Sequence, residues 1–141
     1  QNLTPERAAE QGVTYKDKKA FFATSDFISI HLKLSERVTG LVGAEALAWM
    51  KPDACIVNTS RAPIIDEAAL IAALNTGKLG GAALDVYHRE PLQKNDPLRT
   101  TPNLILTPHI GYVTSETMRV FYSETLESLE AYLSGTPIRL L

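Results

Sequence analysis

The chain lacks the features that mark disulfide-rich, membrane and nucleic-acid-binding proteins. Cys55 is its one cysteine, which excludes an internal disulfide and a zinc site built from thiols. The net charge is only −2, without the basic excess that binding to a phosphate backbone requires. No apolar run approaches the roughly 20 residues of a membrane span, and the start of the chain lacks the basic-then-apolar order of a secretion signal. We expect a cytoplasmic protein that binds neither nucleic acid nor a membrane.

The 141 residues contain enough apolar side chains for one globular domain, since 45% of them are hydrophobic. The apolar runs are short, and most are separated by segments with helical spacing. Runs that are apolar throughout are typical of strands buried on both faces, so this alternation predicts a parallel α/β sheet. The predicted strands are DFISIHL (26–32), ACIVNTS (54–60), GGAALDV (80–86) and NLILTPHI (103–110).

Capping residues and apolar spacing indicate where the helices lie. Thr4 followed by Pro5 predicts the start of a short helix. Asp66 is the expected N-cap of another helix, which Gly77 ends. The remaining predicted helices cover residues 43–50 and about 115–134, the second of them long and amphipathic.

Polar side chains come directly after the apolar runs of the predicted strands, at or just past the strand ends. In open parallel sheets, ligands bind beyond the carboxyl ends of the strands, so these are the positions to search for a site. The residues found there are His31, the run Asn58-Thr59-Ser60-Arg61, Asp85 and His109. Glu90 begins the polar loop that follows the third strand.

Each of these residues has a structural as well as a functional interpretation. Arg61 suits a bidentate pair with a ligand carboxylate, but it also suits a structural salt bridge. Glu90 could orient an imidazole or be a solvated loop acid, and Asp85 could bind a ligand amide or cap a turn. His31 and His109, taken singly, fit either a structural or a catalytic histidine.

Four segments, in this order and at this spacing, resemble the D-isomer-specific 2-hydroxyacid dehydrogenases, the family that includes phosphoglycerate, glycerate, D-lactate and formate dehydrogenases. They read DFISIHLKLSERVTGLVG, MKPDACIVNTSRAPIIDEAALIAAL, GKLGGAALDVYHREPL and NLILTPHIG. From Asp26 to Leu141 the chain is similar to the C-terminal part of that family's NAD-binding domain. The resemblance implies part of a Rossmann-type, doubly wound parallel sheet, with NAD as cofactor and NADP left open.

The resemblance also implies a role for each residue beyond the strands. Arg61 matches the family's substrate-binding arginine, His109 matches its acid/base, and Glu90 matches the acid that hydrogen-bonds this histidine. Asp85 matches the carboxylate that receives the nicotinamide carboxamide. The positions beside the cofactor are matched by His31, Thr59, Ser60, Arg61, Asp85, His109 and Gly111. No metal ligand is implied.

These roles agree with the chemistry of hydride transfer to a small 2-oxo acid. Negative charge builds on the carbonyl oxygen, so a cation must lie against that oxygen while a proton arrives. Arg61 and His109 are residue types suited to these two tasks. A carboxylate such as Glu90 favours the protonated imidazole. The resemblance therefore implies an oxidoreductase that interconverts a D-2-hydroxy acid and a 2-oxo acid.

Three departures from the family pattern limit the match. The family usually has proline at the position of Lys33 and glycine at that of Ala62. The G-x-G-x-x-G turn that receives the pyrophosphate does not occur in these 141 residues. We therefore expect 1–141 to be an incomplete dinucleotide-binding domain without the substrate domain, a fragment that is inactive alone. The apolar sheet surface that such a piece exposes favours association, so we expect a homodimer.

Two further interpretations keep the fold and change the function. A non-catalytic, dinucleotide-sensing module or corepressor would use the same sheet, but the joint presence of Arg61, Glu90 and His109 favours the enzyme. A purely structural α/β domain would require the polar residues beyond the strands to be accidental. Replacement of His109 distinguishes an enzyme, which loses turnover, from a sensor, which keeps its partner.

Overall fold

Four short parallel strands form one sheet, in the order β1-β2-β3-β4, in the computed structural model, which describes residues 3–140. The register places Phe27 beside Cys55 and Cys55 beside Gly81. The predicted parallel α/β sheet is confirmed. The strands are β1 (Phe27–Ile30), β2 (Cys55–Asn58), β3 (Gly81–Leu84) and β4 (Leu104–Leu106).

The chain divides into two units, the first ending at Pro108 and the second beginning at His109. The sheet and four helices belong to the first unit: α1 (Pro5–Glu10), α2 (Lys18–Thr24), α3 (Ala44–Trp49) and α4 (Glu67–Asn75). Three short 3-10 helices connect them, at Glu36–Val38, Ala62–Ile64 and Pro97–Thr100.

The helix caps follow the sequence closely. The side chain of Thr4 accepts a hydrogen bond from the Arg7 amide at α1, and that of Asp66 accepts one from the Ala69 amide at α4. Helix α2 was not among the predicted elements. Its N-cap is Asp17, but only Phe22 of its residues is buried, so the apolar spacing that identifies the other helices is missing here.

The strands are shorter than predicted. The fourth, expected over 103–110, ends at Leu106. Pro108 has no amide hydrogen to continue the ladder, and His109 adopts a left-handed backbone with φ of 57°. Strand β4 therefore ends two residues before Pro108, although the apolar run continues to Ile110.

One face of the sheet packs into the core and the other is exposed. Ile28, Ile30 and Ile56 are buried, whereas Phe27 is 76% exposed. The prediction that the strands are buried on both faces is therefore wrong for the described residues. The buried side chains of α2, α3 and α4 join the inward-facing strand residues in one core, which covers one face of the sheet. We call the other side the open sheet face, which consists of Phe27, Ser29, Cys55, Val57, Ala83 and Ile105.

The second unit contains one long helix, α5 (Ser115–Leu133). Thr114 caps its start by accepting a hydrogen bond from the Thr117 amide, and Gly135, with φ of 77°, lies just beyond its end. The predicted helix over about 115–134 is confirmed, although its apolar stripe has no buried residue. Among the helices that the structure describes, none combines the length and hydropathy needed to cross a bilayer.

Candidate functional site

A cavity of about 510 Å³ lies at the carboxyl ends of β1 and β2. We call it the strand-end cavity; its lining residues are His31, Leu32, Lys33, Leu34, Thr59, Ser60 and Arg61. Adjacent parallel strands end at the same edge of a sheet, which brings the two loops together although they are far apart in sequence. Four of the predicted site residues, His31, Thr59, Ser60 and Arg61, thus share one cavity.

The turn that carries Arg61 is built around the buried side chain of Asn58. Asn58 is the last residue of β2 and is 0% exposed. Its amide nitrogen donates to the Arg61 carbonyl at 3.0 Å, and its amide oxygen accepts from the Ser60 backbone nitrogen at 3.0 Å. The Asn58 side chain thus bonds one backbone donor and one backbone acceptor of the turn. These two bonds hold residues 59–61 at the end of β2.

A hydrogen bond between the two loops closes one side of the cavity. The hydroxyl of Ser60 donates to the carbonyl oxygen of Leu32, 28 residues away, at 2.5 Å. On the β1 side, Nε2 of His31 lies 2.7 Å from the hydroxyl of Ser29. Ser60, predicted to face the cofactor, therefore also ties the loop after β2 to the loop after β1.

Replacing Ser60 with alanine is expected to lower the free energy of unfolding by about 1 kcal/mol, because it removes the bond to the Leu32 carbonyl. Chemical denaturation of the two proteins measures the loss. Ser25→Ala is the matched control, since the Ser25 hydroxyl donates to the Phe21 carbonyl of the adjoining helix α2 and so joins no two distant segments. A loss no greater than that of the control would show that the inter-loop bond contributes nothing to stability.

The charged groups of the strand-end cavity are all basic. Arg61 is exposed, and its guanidinium donates to the Ser60 carbonyl at 2.7 Å. Within residues 3–140, no carboxylate pairs with Arg61 or with Lys33. No acidic side chain lines the cavity. Its chemistry therefore suits an anionic ligand, which Arg61 can hold through parallel N–H donors.

Asp85 lies directly after β3 and is 4% exposed. Its carboxylate accepts a hydrogen bond from the hydroxyl of Thr107, and its backbone nitrogen donates to the Asn58 carbonyl at 3.0 Å. A carboxylate that is held in this way at a strand end can accept a further hydrogen bond from an amide. The geometry thus allows the predicted role toward a ligand carboxamide.

Glu90 is held by the backbone of Tyr87, whose amide donates to its carboxylate at 3.0 Å. The Tyr87 hydroxyl is within hydrogen-bonding distance of two carbonyl oxygens, those of Thr107 at 2.7 Å and Leu84 at 3.0 Å. Burial raises the pKa of Tyr87, and the negative charge of Asp85 raises it further. The neutral side chain of Tyr87 therefore joins the end of β3 to the end of β4, while its backbone amide holds Glu90.

His109 opens the second unit and is half-buried. Its backbone is left-handed, a conformation that costs a residue with a side chain roughly 1–2 kcal/mol and is found mainly where the surroundings impose it. The ring of Tyr112 meets the imidazole edge-to-face, with centroids 6.3 Å apart, and Tyr112 stacks on Phe121 of α5 at 6.2 Å. Gly111, the last of the predicted cofactor-binding residues, lies between His109 and Tyr112 in the sequence and is exposed.

Three residues position the others: Asn58, which the sequence places at a strand end without a role, and Tyr87 and Thr107, which sequence reasoning missed. Asn58 carried a readable signal, because it is a polar residue at the inward position of β2, in line with Ile56. Tyr87 and Thr107 carried none, since each hydroxyl bonds to a residue about 20 positions away, at the end of the neighbouring strand. No group of three metal-ligating side chains occurs in the described part of the chain.

The sequence matches, over residues 1–111, the family described as D-isomer specific 2-hydroxyacid dehydrogenase, NAD binding domain. It is 42% identical over 137 residues to a D-3-phosphoglycerate dehydrogenase of Synechocystis, covering 97% of this chain and 24% of the relative. It is 41% identical over 121 residues to a glyoxylate/hydroxypyruvate reductase B of Enterobacter agglomerans, covering 86% and 38%. The chain thus spans well under half the length of these curated relatives.

Solved structures show the same similarity. A phosphoglycerate oxidoreductase from Vibrio cholerae superposes with a TM-score of 0.84 at 34% identity, over 93% of this chain and 42% of that one. A D-lactate dehydrogenase with NAD+ from Lactobacillus jensenii gives a TM-score of 0.79 at 29% identity, over 99% and 46%. The sheet and the strand-end cavity therefore occur within a fold that these dehydrogenases share.

Proposed function

Because the chain belongs to the D-isomer specific 2-hydroxyacid dehydrogenase family, whose NAD-binding domain it matches over residues 1–111, we propose that it serves the interconversion of a D-2-hydroxy acid and a 2-oxo acid. The observation that carries the proposal is that His31, Thr59, Ser60 and Arg61 all line the strand-end cavity. A bound NADH, with NADPH as the alternative, would donate the hydride in the reducing direction, and NAD+ or NADP+ would accept it in the oxidising direction. The protein would position the two reactants and stabilise the developing charge.

The residues of the first unit fit a nicotinamide cofactor and an oxo acid together. Asp85 offers a buried carboxylate that can accept from a carboxamide, while the polar residues Thr59 and Ser60 line the cavity. Arg61 is free of acidic partners among the described residues, so its guanidinium is available to hold a substrate carboxylate. The same cation stabilises negative charge as it develops on the carbonyl oxygen.

His109 is proposed as the group that exchanges a proton with the substrate oxygen. In the reducing direction the imidazolium gives its proton to the oxygen that becomes the hydroxyl, and in the oxidising direction the neutral ring takes it back. Glu90 is proposed to favour the protonated ring by its charge. The left-handed backbone at His109 supports this role, because such conformations are concentrated at functional sites.

Turnover is proposed to belong to a longer polypeptide, of which 1–141 forms part of the cofactor-binding domain. The support is that the chain spans 24% and 38% of the length of two relatives that it matches, and that it contains no glycine-rich turn. The substrate domain would come from the rest of that polypeptide. A homodimer in the cytoplasm is part of the same proposal, since the open sheet face favours association.

The isolated chain of 141 residues is expected to bind NADH weakly, with Kd in the millimolar range. In dinucleotide-binding domains, a glycine-rich turn at a helix N-terminus binds the pyrophosphate, and these 141 residues contain no such turn. Isothermal titration calorimetry measures this affinity. The complete enzyme is the control and should bind NADH much more tightly and reduce 2-oxo acids with it. Micromolar binding by the isolated chain would overturn the expectation, and absence of turnover in the complete protein would overturn the proposed reaction.

A further inference from the structure

Lys33 adds a positive charge to the strand-end cavity that the cofactor and substrate roles proposed above do not use. The cavity contains Lys33, Arg61 and the imidazole of His31, with no acidic side chain in its lining. The lysine forms no ion pair with any described residue. In a chain of net charge −2, this is a local excess of positive charge at a strand-end site.

The two cations stand on loops that are joined to each other. Lys33 follows Leu32, whose carbonyl accepts the hydroxyl of Ser60, and Ser60 precedes Arg61. The short bond between the loops limits how far the two backbone segments can separate. Their side chains can therefore act on one ligand, with Arg61 as a planar fork and Lys33 as a compact point charge.

We propose that Lys33 is a second anion anchor beside Arg61, so that the strand-end cavity favours a ligand group that carries two negative charges. The chemical class comprises phosphate and similar dianions, and 2-oxo acids that bear a second anionic group. The inference rests on the proposed function, in which Arg61 alone satisfies a single carboxylate. A second charge on the ligand is what makes the added cation useful.

Binding to the 141-residue chain tests the anchor without any turnover. Sulfate, a dianion, and methyl sulfate, its monoanionic analogue, are titrated at constant ionic strength while the backbone amide signals of residues 31–34 and 59–61 are followed by NMR. Lys33→Met should weaken sulfate binding about threefold and methyl sulfate binding less than about 1.5-fold, as expected for one cation at a solvent-exposed site. Amide signals far from the cavity should stay in place, which shows that the variant is folded.

Lys94→Met is the matched control, since Lys94 is an exposed lysine of the loop that follows β3. It removes the same charge from the chain and should leave both affinities unchanged. Equal losses in the two variants would show a general charge effect and overturn the anchor. Unchanged sulfate binding in Lys33→Met, or equal weakening of sulfate and methyl sulfate, would overturn it as well.

Kinetics of the complete enzyme identify the source of the dianion. If the substrate carries it, Lys33→Met raises KM about threefold for a 2-oxo acid with a second carboxylate or phosphate, but not for a monoanionic one. If the cofactor carries it, KM rises for NADH or NADPH and for neither acid. A variant with every KM unchanged contradicts the inference. An enzyme without turnover contradicts the proposed function, while the sulfate titration still decides the role of Lys33.

Discussion

Replacing His109 with glutamine is expected to lower kcat of the complete enzyme by about two to four orders of magnitude, the usual contribution of a general acid or base. Glutamine keeps a polar side chain of similar reach but cannot donate a proton as an imidazolium does. Steady-state rates of 2-oxo acid reduction, followed by the absorbance of NADH, measure the change. Affinity for NADH should remain within about threefold, because the hydride donor is bound mainly by other residues.

His88→Gln is the matched control for this loss. His88 is exposed in the loop after β3 and was assigned no part in the reaction. Its replacement should leave kcat unchanged. Turnover within about threefold of wild type in His109→Gln would remove His109 from the reaction. A protein that shows no turnover in either form, yet binds NADH and a partner protein equally well in both, would instead be the non-catalytic sensor.

Replacing Asn58 with alanine is expected to lower the free energy of unfolding by about 2–4 kcal/mol. The change removes two part-buried hydrogen bonds of the Asn58 side chain. The Ser60 amide loses this partner, while the Arg61 carbonyl keeps a bond from the Ile64 amide at 3.3 Å. It also leaves a small cavity at the end of β2. Urea or guanidinium denaturation measures the difference, provided that the slope of the transition stays the same.

The matched control is Asn75→Ala, because Asn75 is an exposed residue in the last turn of α4. Its loss should stay within about 0.5 kcal/mol, as is usual for a surface substitution. In the complete enzyme, Asn58→Ala should also raise KM for the oxo acid, since the turn it supports carries Arg61. Stability equal to that of the control would mean that the turn forms without this side chain.

The sheet could be predicted from the sequence because its determinants are local. Short apolar runs separated by capped helices indicate parallel strands, and the caps at Thr4 and Asp66 lie where the sequence places them. Strand ends could not be predicted as well, because they depend on which backbone groups find a partner across the sheet. The apolar run through Ile110 ends as a strand at Leu106 for this reason.

The candidate site was predictable to the extent that fold class fixes it. The rule that ligands bind beyond parallel strands locates Arg61 and Asp85 without any knowledge of their contacts. The network around them was not predictable, since it depends on pairs such as Thr107 and Asp85, which lie 22 residues apart. Helix α2 was missed because its sequence lacks an apolar stripe, so its tertiary packing is not visible in its periodicity.

The open sheet face has a consequence for the thermodynamics of the chain. Apolar surface that stays hydrated in the folded state adds nothing to the heat capacity change of unfolding or to its denaturant dependence. Phe27 and Ile105, at 76% and 67% exposure, are apolar side chains of this kind. A partner that binds this face in the folded chain, but not in the unfolded one, raises the free energy of unfolding as its concentration increases. The melting temperature of the chain then depends on how much of this face is covered.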